Sequence, residues 1–303
     1  MRKKFSWLIC LAIGVLAFAA CDDKDNSGGG NGGGENGGGA SGIKSISVQV
    51  EKGNDYSSVI DSVFVELRWE DEYDWDWVII ARSAYKNGNF TLNLPEKLDD
   101  AFLSAFDEDE DEDSMLKYVT ISDKSVKTVG FSALEAYSND RGYIGYIVRT
   151  NVDLEYLNSL GEDDVEAILS IFAKGIYDIA YVYAEKPVTL NGSYSEKGVE
   201  IFDGVYGNVS SSVNVSLKKG WNVVATKISM QVNALTGLVT AKSEMTSSEP
   251  SGLKWYFYKG GYTSDYAYGV QKSSETGILK SPSKSLSKFT PLFNKSKALK
   301  LFH

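Results

Sequence analysis

From Ile43 onward, apolar residues recur at every second position in short runs, and this period limits the fold more than any other feature. Ile46, Val48 and Val50 alternate with polar residues, as do Val63, Val65 and Leu67. Successive side chains of a strand point to opposite faces, so each run reads as a strand with one buried face. Phe90, Leu92 and Leu94 continue the pattern, fed by the turn Asn87-Gly88-Asn89 and ended by Pro95. Two more strands are predicted from Val126 to Ala136 and from Gly142 to Val148, across the turn Ser138 to Gly142.

Two stretches carry the helical period instead. Leu98, Phe102 and Phe106 fall at i, i+4 and i+8 within residues 96–106. In residues 162–174, Val165, Ile168, Leu169 and Phe172 form an apolar stripe, with Glu162, Asp163 and Asp164 at the positive N-terminal end. Strand signals then resume at Ile179–Tyr183, Val188–Ser193, Val209–Leu217, Trp221–Val232, Leu238–Ser243 and Leu253–Tyr258, with Lys218-Lys219-Gly220 as a hairpin turn. The expectation is a mainly β chain: two consecutive antiparallel β-sandwich domains with two short helices. The first sandwich spans residues 44–150. Residues 151–275 form a second sandwich or barrel preceded by a short helix.

The order of strands in residues 44–150, with the phrase Gly88-Asn89-Phe90-Thr91-Leu92-Asn93-Leu94-Pro95, resembles the transthyretin-like, or carboxypeptidase-regulatory-like, β-sandwiches of exported bacterial proteins. The resemblance implies a scaffold or adhesive role.

The N-terminus is read as targeting rather than fold. Met1-Arg2-Lys3-Lys4 precedes an apolar run from Phe5 to Ala20, a basic region and short apolar core of the secretory kind. Phe18-Ala19-Ala20-Cys21 resembles the lipobox of bacterial lipoproteins, with Phe18 where leucine is usual. That resemblance implies cleavage after residue 20 and acylation of Cys21, which then holds the chain to a membrane. The alternative is an uncleaved anchor, for which the run is short. Cys10 is a poor rival because bulky Trp7, Leu8 and Ile9 precede it. Asp22-Asp23-Lys24-Asp25 resembles the acidic signal that sends some lipoproteins to the outer face of the outer membrane, the alternative being a periplasm-facing anchor. Residues 21–43 then form a lipidated cysteine and a Gly-rich tether with a reach of roughly 25 Å.

With the signal removed, Cys21 is the last cysteine, so no disulfide is available and the fold rests on apolar burial. Loss of Arg2, Lys3 and Lys4 leaves 28 basic against 41 acidic residues, a net −13. Residues 276–303, a Ser/Lys-rich tail expected to be disordered, hold six lysines and no acid, so residues 21–275 carry −19. A body of that charge repels nucleic acid.

The only histidine is His303, which removes histidine-based triads, metal centres and general bases from the body. No phosphate loop or dinucleotide fingerprint occurs, and no cofactor or metal is expected. Carboxylate pairs for glycoside hydrolysis remain open, although 41 acids guarantee some pair by chance. The acidic run Asp107 to Asp113 lacks the glycines that turn a chain around calcium and reads as a solvated loop.

The most distinctive stretch runs from Trp69 to Trp77. As a strand it places Tyr73, Trp75, Trp77 and Ile79 on one face, with Glu72, Asp74 and Asp76 on the other. Rings in a row beside carboxylates suit sugar binding, by stacking on CH faces and accepting hydroxyl hydrogen bonds. Tyr73, Trp75, Trp77, Asp74 and Asp76 are therefore the candidate ligand-binding residues. The competing reading makes the aromatic face a sandwich core. Trp221 and Trp255 are expected in the core. A second cluster comprises Tyr256, Tyr258, Tyr262, Tyr266 and Tyr268.

The sequence thus points to a non-enzymatic envelope lipoprotein that binds glycan or another envelope protein. The alternatives are a purely structural lipoprotein and a carboxylate-dependent glycan hydrolase. The lipid assignment is directly testable: Cys21→Ala should abolish incorporation of radiolabelled fatty acid, and label retained by the variant would refute it.

Overall fold

The computed structural model describes residues 42–70, 75–106, 118–160, 164–202, 205–233 and 236–259. The signal segment, Cys21, almost all of the tether, the acidic run at 107–113, Tyr262, Tyr266, Tyr268 and the tail at 276–303 lie outside them. The chain is mainly β. Fifteen strands are described: β1 (Ser45–Gln49), β2 (Ser62–Glu70), β3 (Trp75–Ala84), β4 (Asn89–Asn93), β5 (Ser104–Ala105), β6 (Val119–Ile121), β7 (Lys127–Phe131), β8 (Ala133–Ser138), β9 (Gly142–Thr150), β10 (Ile176–Ala184), β11 (Val188–Phe202), β12 (Val205–Leu217), β13 (Gly220–Val232), β14 (Val239–Thr246) and β15 (Lys254–Lys259). The two described α-helices are α1 (Leu154–Ser159) and α2 (Val165–Lys174).

These strands build an eight-stranded sheet in the order β5-β7-β10-β13-β14-β12-β11-β6, a five-stranded sheet in the order β15-β9-β8-β2-β3, and the pair β1-β4. Residue 150 does not divide the sheets. β15 joins β9, while β5, β6 and β7 belong to the eight-stranded sheet. The run from Val126 to Ala136, expected as one strand, is two: β7 and β8 lie in different sheets and the chain crosses between them at buried Ser132. Among the described strands pairing is antiparallel except for β12 and β14, which run parallel, and an isolated parallel bridge joins Val50 to Trp255 of β15. Lys218 to Gly220 is consequently no hairpin, because β14 lies between β12 and β13. Asn222 closes that turn instead, accepting from Lys218 N–H at 2.8 Å and donating to the Lys218 and Gly220 carbonyls at 2.8 and 2.7 Å.

The core follows the alternation. Val63, Val65, Leu67, Leu134, Ala136, Ile147, Trp255 and Phe257 from the inner face of the five-stranded sheet join Val129, Phe131, Ile179, Tyr181, Tyr183, Trp221 and Ala225 from the eight-stranded sheet, with β1 and β4 adding Ile46, Val48, Phe90 and Leu92. On the opposite face of β10 and β13, Ala180, Ala184 and Val224 meet Val126, Leu190, Val215, Leu217 and Met245 in one cluster. Strands from across the eight-stranded sheet feed that cluster, so the sheet curls around it. Near one end Phe172 of α2, with Ile168 and Leu169 beside it, packs on Ile201, Val209, Met230 and Val239.

One helix expectation is also corrected. Residues 96–106 are not an α-helix. Asp99 accepts from Ala101 N–H at 3.1 Å and caps a 3-10 turn of only three residues, after which β5 begins. Leu98 and Phe106 look like one stripe but serve different clusters, which a straight helix could not do. The helix in the 162–174 region runs Val165–Lys174, and the other helix lies at 154–159, where Asp153 accepts from the Glu155 and Tyr156 N–H groups. The Asn87-Gly88 turn forms as expected, with φ of 50° and 81°. Glycine is required there: a Cβ on Gly88 would lie 2.9 Å from Gly53 Cα.

Trp221 and Trp255 are core residues, at 2% and 6% exposure. Trp221→Ala should cost about 3–5 kcal/mol, since transfer energy and cavity cost add. Urea unfolding measures it, and a loss below about 1 kcal/mol would contradict this burial.

Candidate functional site

The expected aromatic row occupies β3, an edge strand of the five-stranded sheet. Tyr73 and Asp74 lie outside the described residues. Trp75 is placed by backbone register opposite Glu70, and Trp77 opposite Arg68. Trp77 is half-buried, and its Nε1 is out of solvent without a hydrogen-bond partner. Asp76 stands opposite Trp69, on the other side of the strand, and its Oδ1 accepts from Trp77 N–H at 2.8 Å. It therefore supports the strand locally and does not flank the rings.

A bulge decides where the rings go. Val65 pairs with Ala81 but Glu66 pairs with Ile79, so Ile80 is an extra residue in β3. Ala81 faces the core beside Val65, at 7% exposure. Unbroken alternation would send Trp77 and Ile79 inward with it. The bulge turns them to the outer face, among Glu66 and Arg68. Val78 and Ile79 are each 37% exposed. A second bulge, between Ala136 and Tyr137 in the β8–β9 register, leaves Ile144 extra and brings Tyr143 and Tyr146 to the same outer face. Their rings meet edge to face at 5.1 Å.

Register completes the surface. Tyr258, Tyr146, Glu135, Phe64 and Arg82 are successive partners across β15, β9, β8, β2 and β3, one row over the whole sheet. Tyr137 lies beside Phe64 with ring centroids 6.1 Å apart, and Tyr256 is on the face of Tyr258. Arg82 donates from Nη2 to Ser62 Oγ at 2.9 Å. Burial, with the nearby Glu66 carboxylate second, pushes the Glu135 carboxyl up to about 8. Oε2 of Glu66 and Nε of Arg68 are also out of solvent.

Among the described residues, the acids beside these rings are thus Glu66 and Glu135, not Asp76. Their signal was present in the sequence: Phe64, Glu66 and Arg68 alternate with the core residues Val63, Val65 and Leu67, and Glu135 and Tyr137 alternate with Leu134 and Ala136. What joins them is register between strands distant in sequence. Among the described residues no group of three or more His, Cys, Asp or Glu side chains is placed to hold a metal ion, and no helix is long and apolar enough to cross a membrane.

A further displaced acid lies elsewhere. Burial pushes Asp178 of β10 up to about 7, against the opposing hydrogen bond from Ile179 N–H. For both acids the folded state holds its proton more tightly than the unfolded chain does. Their stabilisation is complete below about pH 4 and is lost as pH rises through about 7 for Asp178 and about 8 for Glu135. Other carboxylates act in the reverse sense at low pH, so the difference between variants isolates the effect. Glu135→Gln should lose less thermal stability than the parent between about pH 6 and pH 9. Parallel melting curves for the two would show that Glu135 ionises normally.

Compared with known proteins, the chain matches no family model, no curated protein and no solved structure.

Proposed function

We propose that this protein is a non-enzymatic, lipid-anchored envelope protein displayed on the outer membrane, and that it binds glycan or protein through the outer face of its five-stranded sheet. The observation that carries the reading is the position of Trp77. It is turned away from the core by the Ile80 bulge and set on a face that also bears Tyr137, Tyr143, Tyr146, Tyr256 and Tyr258. Packing alone does not call for so many rings on the side of a sheet opposite its core, whereas aromatic side chains dominate ligand surfaces at low entropic cost. Lipid on Cys21 and a glycine-rich tether suit this role, since they give the body reach and free orientation.

A second reading is favoured by one observation, the Glu66 and Glu135 pair, in which one acid keeps its proton near neutrality beside a second carboxyl. A protonated acid and an ionised partner are the requirements of glycoside hydrolysis. Reducing ends released from a bound polymer would move the reading there.

Replacing Trp75 and Trp77 together by alanine should abolish ligand binding on a glycan array. The accompanying stability loss should stay well below that of Trp221→Ala, because the Trp77 ring is only half-buried and leaves a smaller cavity. If the double variant unfolds in urea as readily as Trp221→Ala, these rings are structural and the platform is absent.

A further inference from the structure

We propose that the ligand of this face is an uncharged glycan, and that Glu135 and Glu66 grip one pair of adjacent sugar hydroxyls, Glu135 as proton donor and Glu66 as acceptor. The inference rests on the reading of the outer face as a ligand platform, and it names the ligand's chemistry.

Three observations carry it. The first is geometric. Glu135 sits at the centre of the row, on the middle strand of five, with Tyr146 and Phe64 as its immediate cross-strand partners and Tyr258 and Arg82 beyond them. Neighbouring strands lie about 4.8 Å apart, so rings flank the acid at about 5 Å on either side and Tyr258 lies about 10 Å away. Phe64 is buried, at 6% exposure, so the rings left to cover a sugar face are the half-buried Tyr146 and Tyr258, with the acid meeting the sugar's edge. Glu66 is two residues along β2 from Phe64 on the same face, diagonal to Glu135 and close enough to influence its charge.

The second is the chemistry of the pair. Burial keeps the proton on Glu135, and the nearby Glu66 carboxylate reinforces this. One acid then donates and the other accepts. A sugar hydroxyl does both, so adjacent hydroxyls match the pair without any change in net charge.

The third is the surrounding charge. Residues 21–275 carry −19, which repels polyanions. An organic cation, in turn, would meet Arg68 of β2 and Arg82 of β3 on the same face, while Lys254 of β15 is paired with Glu51 at 3.1 Å. The remaining titratable groups facing Glu135 are Glu66 of β2, Tyr137 of β8, Tyr143 and Tyr146 of β9, and Tyr256 and Tyr258 of β15. Among these groups, Glu135 is the one whose carboxyl is pushed up to about 8, while Asp178, pushed up to about 7, lies on β10 of the other sheet.

The test uses the mature full chain in affinity electrophoresis through gels containing neutral polymers (β-glucan, mannan, dextran) or anionic ones (alginate, polygalacturonate). At about pH 6.5 a neutral polymer should retard the protein and the anionic ones should not. At about pH 9 the affinity should fall about tenfold, the scale of one lost hydrogen bond. Glu135→Gln keeps a donor and should bind at both pH values alike. Glu66→Gln should bind about tenfold more weakly at either pH. Should Glu66→Gln fail to melt cooperatively, Glu66→Asp, which keeps the charge but shortens the reach, should show the same loss. Binding that ignores pH in the parent protein, or that favours the polyanions, overturns the proton-sharing grip. The platform itself still stands in that case if Trp77→Ala abolishes retardation. No retardation by any neutral polymer overturns the inference, and capture of a protein partner sensitive to Trp77→Ala would show the platform serving that partner instead. Release of reducing ends that stops in both Glu66→Gln and Glu135→Gln overturns the grip in favour of hydrolysis.

Discussion

Trp221 is where the separate parts of this fold are held together. Its ring packs edge to face on Phe131 at 5.4 Å and on Tyr183 at 5.5 Å, and its Nε1 donates to the Pro95 carbonyl at 2.9 Å. Its own carbonyl accepts from Ile43 N–H, also at 2.9 Å, where the body begins. From Phe131 the contact passes to Tyr181, stacked at 5.3 Å, and from Tyr181 to Trp255 in the five-stranded sheet at 6.3 Å. Arg149 fastens the same junction: its guanidinium lies 5.6 Å from the Trp255 ring centroid and its Nη2 pairs with Glu249 at 2.5 Å. No cysteine lies among the described residues, so this aromatic contact, and not a disulfide, joins the two sheets there.

That junction lets the outer face of the five-stranded sheet differ in character from the inner one. The inner face supplies the apolar contact on which the sheet depends, so the outer face is free to carry glutamates, arginines and tyrosines. The two bulges distribute those residues. The one at Ile80 separates Trp77 from Ala81, and the one at Ile144 lets Tyr143 and Tyr146, three residues apart, share a side. Each inserts one residue, and one residue is enough to reverse the facing of all that follows in a strand. A surface of this kind is thus specified by irregularities in pairing as much as by its residues.

Strand exchange between the halves explains why a chain that reads as two consecutive sandwiches does not divide at residue 150. The alternation from Val126 to Ala136 is continuous, yet β7 and β8 bury their apolar residues against different partners, and Ser132 marks the crossing. β15, the last described strand, returns to pair with β9, more than a hundred residues earlier. Local pattern records which residues seek burial but not the surface that buries them. The stretch Leu98 to Phe106 shows the same limit, since its helical spacing comes from residues that serve two separate clusters.

By itself the sequence determined what depends on neighbours along the chain. The β class, the strands at Ile46 to Val50 and Val63 to Leu67, the Asn87-Gly88 turn, the helix ending at Lys174 and the burial of Trp221 and Trp255 were all legible, because period, turn chemistry and side-chain size act locally. It also placed Trp75, Trp77 and Ile79 on one side of a strand. Only the tertiary structure decided that this side is the outer one, that Asp76 faces away from it, and that Glu66 and Glu135 come together there. Those outcomes rest on register between strands some seventy residues apart and on a single extra residue in β3. Register is set by the sum of contacts across a sheet, and no local stretch of sequence contains that sum.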